Sequence, residues 1–471
     1  MVQSVDVAII GAGTAGLAAL REVRKRTEHF LIVNDGAYGT TCARVGCMPS
    51  KALIEAAKAF HHRRHLQAFG IRGADALSVD VAAVLARVRR LRDRFVAGVL
   101  AATEDLGARS VAGRARLAGP GRVEIDGRMV EAKRIVLATG SRPIVPGGWR
   151  RFGDRVVTTD TLFERETLPQ RIAVVGLGAI GVEIAQALSR LGLAVAGFDA
   201  ADRLAGLSDG EIDAALRAAL ADEFAIHTGA PAELSETAAG ITVVGSGGRF
   251  VADLVIAALG RRPNVDDIGL ETLGVALDDR GLPPVDPTTM RIADLPVFLA
   301  GDANGFAPLL HEAADEGHIA GINAVTAEPR CFRRRTPLAI VFAEPDVAVV
   351  GARYADLDLA RTVIGEVDFA RQGRARTAER NRGLLRVYAD CGDGRLLGAA
   401  MCAPAGEHIV HLLALAIEQR LTVQELLGMP FYHPVIEEGL RTALRDAARQ
   451  LPAGPDSDLA SCQAIGAEAL E

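Results

Sequence analysis

The chain has 471 residues, 49% of them hydrophobic and 24% charged, with a formal net charge of −6. It is too long for one ordinary core, so two to four domains are expected, and too apolar to be disordered. Six cysteines with only one close pair exclude a disulfide-stapled secreted fold, and Arg333, Arg334 and Arg335 form too short a basic run to hold nucleic acid.

The first apolar run, residues 7–20, is broken by three glycines and is too short to span a membrane. No charged start or cleavage site precedes it, so a cytoplasmic enzyme is expected. Residues 5–10 read as a buried parallel strand, Gly11, Gly13 and Gly16 as a tight turn, 14–26 as a helix and 30–33 as the next strand. This is a βαβ dinucleotide fingerprint, with its helix N-terminus turned toward a pyrophosphate. The position that should hold a ribose has Asn34 followed by Asp35, and either side chain suits the contact.

Residues 39–51 carry the most specific signal: Cys42 and Cys47, with Gly46 before the second cysteine and Pro49, Ser50 and Lys51 after it. Four intervening residues let the sulfurs meet, and Pro49 suits the first turn of a helix. Cys47 would then sit at the positive end of that helix, where a thiolate is favoured. Taken alone, the pair also fits a structural bridge or two buried thiols. Only Lys25, Lys51, Lys58 and Lys133 are lysines, against 49 arginines (53 basic residues minus 4), which marks Lys51 as a candidate compact charge.

A helix is expected over 79–106 and a hairpin over 113–125. A strand over 135–140 should then end in Ala138, Thr139, Gly140 and Ser141, with Pro143, Pro146, Gly147 and Gly148 marking a boundary. A second fingerprint follows: strand 171–175, Gly176, Gly178 and Gly181, helix 179–191, strand 194–198 and then Asp199. Two fingerprints mean two dinucleotides, and a carboxylate at Asp199 accepts ribose hydroxyls and repels a 2′-phosphate. Residues 254–260 close this part at Gly260. Residues 296–302 form a strand ending in Ala300, Gly301 and Asp302, before a helix over 309–326. Beyond 336 the pattern changes to antiparallel strands (339–342, 348–351, 384–389, 396–402) and helices (407–419, 436–449). His433 stands before Pro434 at an expected helix start, and Glu438 lies five residues on. A histidine near neutrality beside an orienting acid suits a general base, and it also suits a capping histidine beside a solvated glutamate.

Together these motifs resemble the flavin-dependent pyridine nucleotide–disulfide oxidoreductases over residues 4–450. The Pro-Ser-Lys ending is most similar to the dihydrolipoamide dehydrogenases among them. The resemblance implies an α/β fold with two Rossmann-like domains and an α+β dimerisation domain. FAD would bind in 1–147 and 271–335 and NAD in 148–270; 336–450 would form a homodimer. Residues 451–471, with Cys462, are expected to be a mobile tail. A lone cysteine there argues against mercuric reductases and the larger thioredoxin reductases, which have a paired C-terminal centre.

By the same resemblance Cys42 is the outer thiol that meets substrate, and Cys47 the inner thiol beside FAD. Lys51 would pair with Glu183 near flavin N5. His433, oriented by Glu438, would serve the disulfide of the other subunit. FAD would be held by Gly11, Gly13, Gly16, Asn34 or Asp35, Thr41, Lys51, Thr139, Gly140, Ser141, Gly301 and Asp302. NAD would be held by Gly176, Gly178, Gly181, Asp199 and Gly260. Ala200 and Ala201 stand where NADP-specific relatives carry basic residues, although Arg203 is near.

The implied reaction is oxidation of a dihydrolipoyl group on a carrier protein or multienzyme complex, with reduction of NAD⁺. The alternatives are an NAD(P)H-dependent reductase of another small disulfide, or chiefly a structural subunit of a complex. Ser50 disfavours glutathione reductase, and Cys42 disfavours the soluble transhydrogenases. Ala43 and Arg44 replace the family's usual Leu-Asn. Arg44 would either place positive charge at the disulfide mouth, favouring an acidic carrier, or face the FAD pyrophosphate.

Overall fold

Parallel strands rich in Val, Ile and Leu build the first two units and antiparallel strands the third, over residues 3–452 described by a computed structural model. In the first sheet, Gln3–Ile10 lies between parallel neighbours Phe30–Asn34 and Arg128–Leu137. Ser110–Ala112 extends one side, Arg122–Ile125 and Ala115–Leu117 the other, and Val297–Leu299 also pairs with Arg128–Leu137. Phe30–Asn34, Val297–Leu299 and the C-terminal parts of Gln3–Ile10 and Arg128–Leu137 are almost continuously buried, as a sheet covered on both faces requires, whereas Ala115–Leu117 and Arg122–Ile125 alternate. The fingerprint helix Thr14–Val23 packs on it beside Leu310–Ala324.

The second sheet has the order Ala225–His227, Ala194–Phe198, Arg171–Val175, Leu254–Ala257, Val156–Val157, all parallel. The stretch 254–260, expected to close this part, holds the strand Leu254–Ala257 and then turns at Gly260. An antiparallel meander, Glu233–Thr237, Gly240–Gly245 and Gly248–Ala252, covers one face through Ile241 and Val243. Sequence pattern did not signal it, because its strands are short and rich in Gly, Ser and Glu. A short antiparallel ladder between Ser141–Pro143 and Arg261–Pro263 joins the two units. Beyond it Val265, Ile268 and Leu270 already pack in the core of the first sheet.

The third sheet is antiparallel, in the order Leu338–Val341, Asp346–Gly351, Leu396–Ala403, Leu384–Asp390, Thr362–Asp368. The last strand was not expected. Gly365 in its middle weakens the strand signal, yet the glycine is needed: a Cβ there would lie 2.1 Å from the Ala443 carbonyl oxygen of helix Glu438–Ala448. The short helix Val423–Leu427, with its Thr422 and Glu425 capping box, was also missed. The helix expected from residue 436 starts at Glu438, so Pro434 precedes it instead of opening it.

Two buried charge clusters fasten the second unit to the third. Asp209 caps helix Gly210–Leu220 and accepts Arg386 Nη1 (2.7 and 2.9 Å) and the Tyr388 hydroxyl (2.6 Å). Arg190, at the end of helix Ala179–Arg190, pairs with Glu223 at 2.8 Å and with Glu344. Residues 453–471, which hold Cys462 and nearly all of the expected tail, lie outside the described residues. No helix among the described residues is long and apolar enough to cross a membrane.

Candidate active site

A short helix, Thr41–Arg44, turns at Gly46 into the helix Cys47–His61. Cys47 is therefore the first helical residue, where unpaired N–H groups favour negative charge. Thr41 is exposed at the opening of the short helix, and the Ser50 hydroxyl donates to the Cys47 carbonyl at 3.0 Å. Cys42 and Cys47 are half-buried and lie within hydrogen-bonding reach of each other. The spacing permits both redox states and does not select one. The Cys42 hydrogen bond, helped by the Lys51 charge and opposed by burial, pulls Cys47 down to about 7. Cys42 moves the other way, raised by the same hydrogen bond and by burial. Arg44 folds onto the preceding loop, with Nη1 donating to the Ala37 carbonyl at 3.4 Å.

One helical turn past Cys47, Lys51 Nζ donates to both Glu183 oxygens, at 3.0 and 2.9 Å. Glu183 is 5% exposed and belongs to the second fingerprint helix, so the pair bridges two units. The Phe342 amide donates to Glu183 Oε1 at 2.9 Å, and the Lys51 ammonium lies 4.4 Å from the centre of the Phe342 ring.

The two fingerprints repeat each other atom for atom in kind. A Cβ on Gly16 would lie 1.9 Å from the Gly11 carbonyl oxygen, and one on Gly181 1.7 Å from that of Gly176. Those glycines let helix, turn and strand close up. Gly13 and Gly178 have nothing within 4 Å of such a Cβ, which leaves their loops open to a pyrophosphate. Asn34 Oδ1 accepts the Ala12 amide (3.0 Å), and Asp199 accepts the equivalent Leu177 amide together with the Ala201 amide (2.8 Å). Asn34 thus occupies the place that Asp199 fills in the second copy, whereas Asp35 is exposed beyond the strand. Arg203 is tied to the Ser208 carbonyl. Both cradles fit dinucleotides.

Between the cradles, the Thr139 hydroxyl donates to the Asn264 carbonyl (2.7 Å), and Asn264 Nδ2 returns a bond to the Thr139 carbonyl (3.0 Å). Gly140 turns at φ +69° and Gly260 at φ +91°. Ser141 Oγ donates to Asp302 Oδ2 at 2.6 Å and accepts Arg261 Nε at 2.7 Å. Behind Asp302, Glu316 is 1% exposed and takes the Gly301 amide and Asn304 Nδ2, both at 2.7 Å, with Arg334 at 2.9 Å. Burial raises the Glu316 carboxyl against these partners. Sequence reasoning gave no role to Asn264, Arg261, Glu316 or Phe342; only the Arg261-Arg262-Pro263-Asn264 run was visible, and without a function.

His433 lies apart from this cluster, with its side chain 81% exposed on a loop whose His433–Pro434 peptide is cis. Its Nδ1 is 3.0 and 3.2 Å from the two oxygens of Glu438, which also accepts the Val435 amide at 3.2 Å. The hydrogen bond to His433 holds the Glu438 carboxyl below its ordinary value. The sequence-predicted residues therefore fall into two groups: a dithiol centre between two cradles, and a surface histidine–glutamate pair on the third unit.

A chain with two such cradles and a helix-capping dithiol is a flavoprotein disulfide oxidoreductase, and comparison with known proteins agrees. Residues 5–317 match the pyridine nucleotide-disulphide oxidoreductase family model and 338–444 its dimerisation domain, so the chain belongs to that family. The family uses FAD and NAD(P), and the match to its dimerisation domain supports a homodimer. Among curated relatives, dihydrolipoyl dehydrogenase 2 of Haloarcula marismortui is 30% identical, covering 93% of this chain and 95% of its own length. Dihydrolipoyl dehydrogenase of Thermus scotoductus is 31% identical, covering 94% and 98%. The solved structure of LpdA from Mycobacterium tuberculosis superposes with a TM-score of 0.81 at 26% identity, over 94% of this chain and 99% of LpdA. The HOCl-induced flavoprotein disulfide reductase RclA of Escherichia coli shares the fold with the same TM-score at 21% identity, over 93% of this chain and 99% of RclA.

Proposed function

We propose that the protein is an NAD-dependent dihydrolipoyl dehydrogenase, with FAD in the first unit, NAD in the second and the dimer contact in the third. The observation that carries this reading is the Cys42–Cys47 pair at a helix start, one turn before Lys51 and its buried partner Glu183, between two dinucleotide cradles. Curated relatives named dihydrolipoyl dehydrogenase, similar over nearly the whole chain, support the substrate. A lipoyl-bearing carrier protein or multienzyme complex is the corresponding partner.

FAD, when bound, supplies the conversion between a thiol's electron pair and a hydride. The residues of the chain do the rest. His433, reaching the disulfide of the other subunit and oriented by Glu438, takes one proton from the dihydrolipoyl dithiol. The resulting thiolate attacks Cys42 of the closed Cys42–Cys47 disulfide and releases Cys47 as a thiolate. The second substrate thiol then displaces Cys42 and gives it its proton, which leaves an oxidised lipoyl disulfide, Cys42 as a thiol, Cys47 as a thiolate and one proton on His433. Lys51 balances charge at Cys47 while the electron pair moves on, and NAD⁺ departs as NADH with one proton released. Asp199 at the ribose position, Ala200, Ala201 and the tethered Arg203 favour NAD over NADP.

The competing reading is reduction of another small disulfide. Anaerobic stopped-flow separates the two. Rapid NADH formation from dihydrolipoamide and NAD⁺, lost in Cys42→Ser and His433→Ala, is expected. Flavin reduction by NADH without turnover of any lipoyl compound would overturn the lipoyl assignment.

A further inference from the structure

Lys51 and Glu183 come from the first and second units, yet a residue of the third touches both. Phe342 meets Glu183 through its backbone amide and Lys51 through its ring. The next contacts along the chain hold Phe342 in place. The Glu344 amide donates to Gln186 Oε1 (2.9 Å), Gln186 Nε2 donates to the Glu344 carbonyl (3.0 Å), and the Glu344 carboxylate pairs with Arg190. Glu183, Gln186 and Arg190 lie at i, i+3 and i+7, on one face of helix Ala179–Arg190. That face is 5%, 3% and 7% exposed at the three positions, and the segment from Phe342 to Glu344, half-buried at both ends, is docked on it.

We propose that Phe342 is a positioning residue for the redox centre: docked by Gln186 and Arg190, it holds the Lys51–Glu183 pair at a fixed distance from Cys47. The inference rests on the reading of Cys47 as the electron-transferring thiol. The titratable groups acting on Cys47 are Cys42, Lys51 and Glu183; Lys51 favours its thiolate and Glu183 opposes it. Without the ring beneath it, the flexible Lys51 stem carries its charge toward water, and the thiolate loses its nearest cation.

The test uses the two-electron-reduced holoenzyme and follows, against pH, the long-wavelength absorbance that a thiolate gives beside oxidised flavin. In Phe342→Leu and Gln186→Met the midpoint should move up by about 0.5 pH or more, roughly threefold less thiolate at a given low pH. Phe342→Tyr, which keeps the ring, should follow the wild-type curve. Superimposable curves for the Leu and Met variants, with only their melting temperatures lowered, would overturn the inference; if Phe342→Leu does not fold, Gln186→Met decides. Absorbance surviving in Cys47→Ser would overturn the assignment of Cys47 and this inference with it. Cys47-dependent absorbance left unmoved in Phe342→Leu would overturn this inference alone.

Discussion

Asp346 is a carboxylate where water hardly reaches, 8% exposed, with Lys58 at 3.9 Å and the Glu407 amide at 3.5 Å as its partners. Burial pushes its carboxyl up to about 6, aided by the nearby negative charge of Glu407. The folded protein therefore keeps this proton at a pH where the unfolded chain has lost it. Stability from this group is full below the unfolded value of 3.8 and declines as pH rises through about 6. Asp346→Asn should remove that decline, on the order of 1–3 kcal/mol. Melting temperatures of both proteins between about pH 4 and pH 7 check it, and parallel curves would contradict it. Sequence alone could not mark Asp346, because nothing local announces burial. Cys47 and Lys51 were legible in a spaced motif, and Glu183 as the partner of Lys51 followed from the family resemblance. Phe342 was not, because it meets Glu183 across 159 positions and no short pattern connects them.

At the level of elements, the twin fingerprints separate two duties of glycine that sequence motifs merge. Gly181 makes room for helix against turn, whereas Gly178 makes room for a ligand. Gly181→Ala should therefore destabilise the protein by about 1–3 kcal/mol through overpacking. Gly178→Ala should melt like wild type yet bind NADH about tenfold more weakly. Calorimetric titration beside thermal melting tests both, and equal melting losses would contradict the distinction. Long buried strands and these glycine turns were readable because period and composition agree there. The meander at 233–252 and the strand Thr362–Asp368 were hidden by glycines and polar residues, whose places are set by packing from elsewhere.

For the whole molecule, the separation of His433 from the dithiol defines an assembly experiment. If each site takes His433 from the partner subunit, inactive Cys42→Ser and inactive His433→Ala chains complement each other. Every mixed dimer then has one intact site, so random mixing should restore about a quarter of wild-type activity. Dissociation, mixing and assay check this; no recovery would mean that His433 serves its own chain or neither.

The clusters Asp209–Arg386–Tyr388 and Arg190–Glu223–Glu344 also bear on how the molecule moves. Swinging the second unit away from the third would break the Asp209–Arg386, Asp209–Tyr388 and Arg190–Glu344 contacts, while Glu223 stayed with Arg190. The nicotinamide carrier accordingly meets a fixed dock instead of a closing jaw, and small-angle scattering of the holoenzyme should superimpose with and without NADH. Turnover would be paced by the exchange of small partners over a rigid frame.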